Sequence, residues 1–313
     1  MQKEIKDELI YRILTIIMNL LGLVPRRVGK FLGDILGLIW FRVDKRHREI
    51  ALENICFSLG RKSNSKDRLT AGGEKILAKK IFKNIAGMLF ELGWGYRLAR
   101  EDLPEYFTIR GVEHVKNAHE KGRGVLVIIC HMGNWELLAA SIAIANYSTS
   151  ILYRKFDFVP LERLFLEMRK KYGTVLIPLR GASRQIDQRL AAGELVGTLM
   201  DQNVDWYKGV FVDFFGRPAC TNSGVASLVL RTGAAVVPAY IVRDGYTNHV
   251  MHFEPEIEIV RTGDRIKDIE INTQNYTSAI ESIIRRYPDQ WFWVHNRWKV
   301  KNYSLLPSTR LNP

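Results

Sequence analysis

Apolar and polar positions follow two regimes along this chain. At the amino terminus, Leu9–Val24 reads LIYRILTIIMNLLGLV, interrupted only by Arg12, Thr15 and Asn19. A second apolar run, Val28–Phe41, carries Lys30 and Asp34 and is broken by Gly33 and Gly37. From Asp44 to Arg100 the periodicity is helical, with a polar break at Arg61–Gly73 that predicts an exposed loop. From Gly111 the rhythm changes. Val125–Cys130 (VLVIIC) is short and continuously apolar, as expected of a strand buried on both faces. Further strands are predicted at Ser150–Tyr153, Thr174–Pro178, Leu195–Met200, Val210–Phe215 and Ala235–Val242. Helices are predicted at Asn134–Ile144, along the Leu161, Leu164, Phe165, Met168 stripe, at Ser223–Thr232 and over Asp268–Tyr287. This alternation predicts an α/β fold, a mostly parallel central sheet flanked by helices, with an N-terminal membrane-associated helix. The expected organisation is an anchor helix over 1–24, a helical region over 25–110, an α/β core over 111–300 and a tail over 301–313.

The amino-terminal run of sixteen residues is shorter than the twenty or so that a membrane span requires. Pro25, Arg26 and Arg27 follow it, with no small-residue cleavage site, which argues against a removable signal. Two readings stay open: a pair of core helices, or an anchor that lies in or steeply enters the inner leaflet from the cytoplasmic side. In the second, Arg26, Arg27, Lys45, Arg46 and Arg48 face anionic headgroups. Charge sharpens this. The 46 basic and 33 acidic residues leave +13 over 313 positions, which implies an anionic partner. No module of interleaved aromatic and basic residues is present, so nucleic acid is not the expected partner. Cys56, Cys130 and Cys220 lie far apart without a C-x-x-C pair, excluding a cysteine-built zinc site and a disulfide scaffold.

Ligands of parallel sheets gather beyond the carboxyl ends of the strands, so the residues after VLVIIC are the first place to look. They read His131-Met-Gly-Asn-Trp-Glu136. Five positions of regular helix would turn the two side chains about 140° apart. They meet only if His131 sits on the turn before the helix and Glu136 in its first turn, with Gly133 and Asn134 forming turn and cap. Glu136 would then hold one imidazole nitrogen and leave the other as general base, beside helix N–H donors suited to an oxyanion. A capping histidine with a surface glutamate is the alternative. There is no H-E-x-x-H, so no metal is expected. His249 and His252, three apart on a probable strand, would point to opposite faces. Cys130 reads as a buried filler.

H-x-x-x-x-E after a buried strand resembles the catalytic motif of glycerolipid and lipid A acyltransferases. Tyr153-Arg154-Lys155, then Pro160 and an apolar helix to Arg169–Gly173, looks like that family's second block. Gly197-Thr-Leu-Met-Asp201-Gln202, Gly209-Val-Phe-Val-Asp-Phe-Phe-Gly216 and Thr221 look like its third. Pro238-Ala-Tyr240 and the Trp291–Lys299 tail complete a resemblance over about Gly111 to Lys299, similar to the lipid A biosynthesis acyltransferases of lauroyl or myristoyl type. The phenylalanine-proline-glutamate-glycine-threonine motif of lysophosphatidate acyltransferases is absent, and Met200-Asp201-Gln202 stands in its region.

The resemblance implies His131 as general base, Glu136 as its partner, and Arg180 and Asp201 as substrate-binding residues, with Gln202, Arg154 and Asn134 as further candidates. It implies acyl carrier protein as donor, a phosphorylated, Kdo-bearing lipid A precursor as acceptor and the cytoplasmic face of the inner membrane as location. The acyl chain would pass from a thioester to a hydroxyl with no cofactor. Alternatives are the same chemistry on a lysophospholipid, aminolipid or glycolipid, and a basic membrane-surface binder without activity. The tail aromatics Trp291, Trp293 and Trp298 read as core packing.

Overall fold

The computed structural model describes residues 2–60, 69–245 and 248–299. Most of the expected Arg61–Gly73 loop and the 301–313 tail lie outside the described residues. Four helices lead: α1 (Gln2–Leu23), α2 (Arg26–Val43), α3 (Lys45–Ser58) and α4 (Gly73–Arg97). There follow α5 (Leu103–Tyr106), β1 (Phe107–Arg110), α6 (Val112–His119), β2 (Val125–Ile129), α7 (Leu138–Ile142), β3 (Thr149–Tyr153) and α8 (Val159–Lys170). Then come β4 (Val175–Pro178), α9 (Ser183–Ala191), β5 (Leu195–Leu199), β6 (Gly209–Phe214) and β7 (Arg217–Asn222). The chain closes through α10 (Gly224–Thr232), β8 (Ala235–Asp244), β9 (Asn248–Phe253) and α11 (Arg265–Arg286).

Seven strands form one sheet in the order β1-β9-β8-β2-β5-β3-β4. All neighbours are parallel except β8 and β9. The α/β expectation therefore holds, and it holds because β2 lies near the middle of the sheet. Leu126, Ile128 and Cys130 point into one apolar core and Val125, Val127 and Ile129 into the other. A strand buried on both faces has no polar positions to alternate, which is why VLVIIC is continuous.

Three details depart from the sequence reading. Val210–Phe215 forms a strand, but in a separate antiparallel hairpin with β7 and not in the main sheet. The sheet's edge begins at Phe107, ahead of Gly111, in a four-residue strand too short to show a period. The expected Asn134–Ile144 helix is broken into a 3-10 turn over Trp135–Leu137 and the five-residue α7. Against this body, α4 packs on both α1 and α2, and α1 also packs along α8.

Candidate active site

Strand register builds the site. β2 and β5 are parallel neighbours with Ile129 opposite Leu199, so the residues two positions beyond each, His131 and Asp201, emerge side by side. The His131 ring nitrogen Nδ1 lies 2.7 Å from Asp201 Oδ1 and its backbone N–H donates to Oδ2 at 2.9 Å. A carboxylate only accepts, so Nδ1 carries the proton and Nε2 is the free base. The indole N–H of Trp291 donates to the same Oδ2 at 2.7 Å. Asp201 is thus buried with three donors on its two oxygens.

These contacts set the acid–base character. Burial alone would lower the pKa of His131, but the charge and hydrogen bond of Asp201, aided by the charge of Glu136, leave the imidazole above its ordinary value. Burial pulls Asp201 upward, yet the facing imidazole, the His131 amide and the Trp291 indole hold it below the usual carboxylate range. His295, near both, is driven down to about 4 by burial and stays neutral at physiological pH.

The turn that presents His131 is stitched from behind. Gly133 N–H donates to Gln290 O at 2.9 Å, and Phe292 N–H to His131 O at 3.0 Å. Gly133 has φ +57°, and a Cβ there would lie 2.3 Å from Ile241 O, so glycine is required at that turn. Asn134 does not cap a helix. It is fully buried, with its amide donating to Glu91 of α4 at 2.9 Å. Glu91 in turn takes Arg243 of β8 through two nitrogens, one at 2.7 Å. Asn134 is therefore part of an internal clamp between α4 and the turn, and it does not face the cavity.

Glu136 takes a different partner from the one expected. Its carboxylate accepts two hydrogen bonds from Arg169 of α8, at 2.9 and 2.8 Å, and both side chains are largely buried. The 3-10 turn points Glu136 toward α8, and a donor fork matched to a carboxylate claims it there. Glu136 still contributes charge to His131, whose hydrogen-bonded partner is Asp201.

His131 and the Glu136–Arg169 pair border one cavity of about 500 Å³, walled by Ile129, Leu138, Ile151, Leu152, Leu199 and other apolar residues. His131 Nε2 faces the Gln202 side-chain amide at 3.3 Å. Arg154 is exposed at the cavity edge, whereas Arg180 is exposed on the turn after β4, beside the lining residue Leu179 and outside the lining. The structure thus brings His131, Glu136, Gln202 and Arg154 to one cavity, with Asp201 buried behind His131, and leaves Arg180 and Asn134 off its wall. No group of three metal-ligating side chains occurs among the described residues.

Two contributors escaped the sequence reading. Arg169 had a signal: it continues the Leu161, Phe165 spacing by one more turn, placing a charge on the apolar stripe of α8. Trp291 had none, because its partner Asp201 is ninety residues away.

The relatives of this chain are acyltransferases by name. It is 26% identical over 282 residues to the lipid A biosynthesis palmitoleoyltransferase of Escherichia coli (strain K12), covering 89% of this chain and 87% of that protein. The lauroyltransferase of the same organism is 24% identical over 283 residues, with 89% and 87% covered. A phosphatidylinositol mannoside acyltransferase of Mycolicibacterium smegmatis is 26% identical over 201 residues. That match covers 63% of this chain and spans 64% of the mycobacterial protein. The family described as bacterial lipid A biosynthesis acyltransferase matches residues 4–300. With nearly its whole length matched, the chain belongs to the bacterial lipid A biosynthesis acyltransferase family.

Proposed function

We propose that this protein transfers a fatty acyl chain from the thioester of acyl carrier protein to a hydroxyl of a phosphorylated lipid A precursor. The observation that carries this reading is His131, held through Nδ1 by Asp201 while Nε2 faces an apolar cavity large enough for an acyl chain. The acceptor hydroxyl gives its proton to Nε2 as its oxygen attacks the thioester carbonyl. The C–S bond then breaks, and the imidazolium returns the proton to the departing thiolate. Asp201 fixes the tautomer and steadies the imidazolium, and no covalent enzyme intermediate is needed. The Gln202 amide, 3.3 Å from Nε2, is placed to donate to the carbonyl oxygen as it becomes an oxyanion.

In this reading Glu136 and Arg169 are a fixed ion pair on the cavity wall. The pair neutralises two charges beside the acyl chain and adds a negative field at His131. Arg154 at the cavity edge and the net +13 suit a phosphorylated acceptor and the acidic surface of a carrier protein. The exposed apolar residues of α1 and α2 suit residence at the inner membrane, on the cytoplasmic face, although among the described residues no single helix is long and apolar enough to cross it. The mannoside acyltransferase relatives favour a second reading, the same chemistry on a different glycolipid.

The test is transfer by the purified full chain from acyl-carrier-protein thioesters to a panel of lipid A precursors and mannosylated phosphatidylinositol. Acylation of a lipid A precursor that disappears in His131→Ala supports the proposal. Acylation of the mannolipid alone selects the second reading, and transfer that survives His131→Ala overturns the mechanism.

A further inference from the structure

The second helix is built inside out relative to helices of a water-soluble protein, and the first exposes a row of large apolar residues beside it. On α2 the buried positions are Gly29, Gly33, Gly37 and Phe41, so three of the four have no side chain. A Cβ at Gly33 would lie 2.8 Å from Gly87 Cα and one at Gly37 would lie 2.5 Å from Lys83 Cα, so α2 and α4 meet backbone to backbone. The large residues point the other way: Phe31, Ile35 and Ile39 are exposed at four-residue intervals, Phe31 at 63%. Leu9, Ile13 and Leu20 are likewise exposed along α1. Water would favour the reverse, since burial of large apolar groups drives folding. Small residues inward and large ones outward is the arrangement favoured where the outer solvent is itself hydrocarbon.

Polar groups mark where that hydrocarbon must end. At the start of α1, Arg163 of α8 holds Glu8 at 2.7 Å, and Tyr11 donates to Glu167 at 2.5 Å. At the bend, Arg26 lies 3.3 Å from the centre of the Tyr106 ring, and Arg27 is exposed beside it. In the last turn of α2 and just beyond it stand Arg42, Lys45 and Arg46, all exposed. Both ends of α1 are therefore fastened to the same body through charged groups. The exposed apolar stretch between them, Leu9 to Leu23, has a rise of about 21 Å against the ~30 Å of a bilayer core. The two helices also turn by 115° at the break between them.

We propose that α1 and α2 form a platform that lies in one leaflet of an anionic membrane and does not cross it. Apolar side chains enter the acyl region, and basic residues at the bend and beyond α2 meet the headgroups. The proposal rests on the membrane location argued above and specifies its form. It also gives α8 a double role, because Leu164 and Met168 pack on Met18 of α1 while Arg169 lines the cavity. The lipid-facing platform and the reaction cavity are then separated by one helix, which suits lateral capture of a lipid acceptor.

The test uses the full chain with Cys56→Ser, added by detergent dilution to the outside of preformed vesicles, and reads no acyl transfer. Its outcome is thus separate from that of the proposed reaction. Single cysteines are placed at Lys3→Cys and Arg46→Cys, and a bimane probe at Phe31→Cys, with Ile39→Cys as a second site should the first disturb folding. Both terminal cysteines should react with an impermeant maleimide from outside, without permeabilisation, while brominated acyl chains quench the bimane. Binding should be stronger by at least ~tenfold when phosphatidylglycerol is added to phosphatidylcholine, since several basic residues engage the surface. Protection of Lys3→Cys or Arg46→Cys until the vesicles are opened would mean that a helix crosses. An unquenched probe on a chain that is dimeric, or that binds neither vesicle, would mean that a second copy or no membrane covers this face. Any of these overturns the proposal.

Discussion

Asp201→Asn separates the two carboxylates that compete for the role of partner to His131. Asparagine keeps the size of aspartate, and its one oxygen can still accept from the His131 amide and the Trp291 indole, the two donors now on Oδ2. Its NH2 group then occupies the place of Oδ1, 2.7 Å from Nδ1, where it can only donate. That reverses the tautomer: Nδ1 becomes the acceptor and Nε2 carries the proton, so the base is blocked. The expected loss is ~10³–10⁴ in turnover, or about 4–5.5 kcal/mol of transition-state stabilisation. Glu136→Gln leaves the His131–Asp201 pair intact and strips Arg169 of its counter-charge. Its main cost should be stability, about 3 kcal/mol for breaking a largely buried ion pair while one hydrogen bond survives. The assay pairs initial rates of acyl transfer with thermal melting of each variant. Retention of rate within tenfold in Asp201→Asn, beside a loss of ~10³ in a well-folded Glu136→Gln, would refute the assignment and return Glu136 to the role of partner.

The remaining predictions draw on the same geometry. Because Asp201 holds His131 above its ordinary pKa, kcat/KM should fall as pH drops through a limb lying above the usual ~6.5, where the imidazole protonates and ceases to be a base. A limb at or below that value in a kcat/KM profile would contradict the pairing. Trp291→Phe removes one donor from the buried carboxylate, which makes Asp201 more basic and shifts the same limb further upward. Melting should show an accompanying loss of ~1–3 kcal/mol, and an unmoved limb would reduce Trp291 to packing. Gly133→Ala forces a methyl group toward Ile241 O at positive φ, with a strain of ~1–3 kcal/mol at the base of the turn that presents His131. Its Tm should fall and its rate should fall with it, and wild-type values of both would show that the turn adapts.

Much of the fold was legible because burial leaves a mark on composition. VLVIIC announces a strand covered on both faces, and the alternation of such runs with amphipathic helices requires crossovers and hence parallel pairing. The Phe107–Arg110 edge strand, four residues long, carries too few positions to show any period. The β6–β7 hairpin reads as strand but says nothing about which sheet it joins, since pairing partners lie outside the local pattern.

The site divides along the same line. Sequence alone identified His131 at a strand end and placed Asp201 at another, since each follows a short apolar run into a polar turn. It also placed Glu136 within reach of the histidine, but not its partner. That was decided by tertiary structure: the register of β2 on β5 sets Asp201 against His131, and α8 brings Arg169 to Glu136. Trp291 arrives from the far end of the chain, and Asn134 turns inward to Glu91 of α4. The physical reason is range. Hydrophobic periodicity records which face of an element is buried, a property of neighbouring residues, whereas a hydrogen bond depends on directions and distances that only the packed elements together supply.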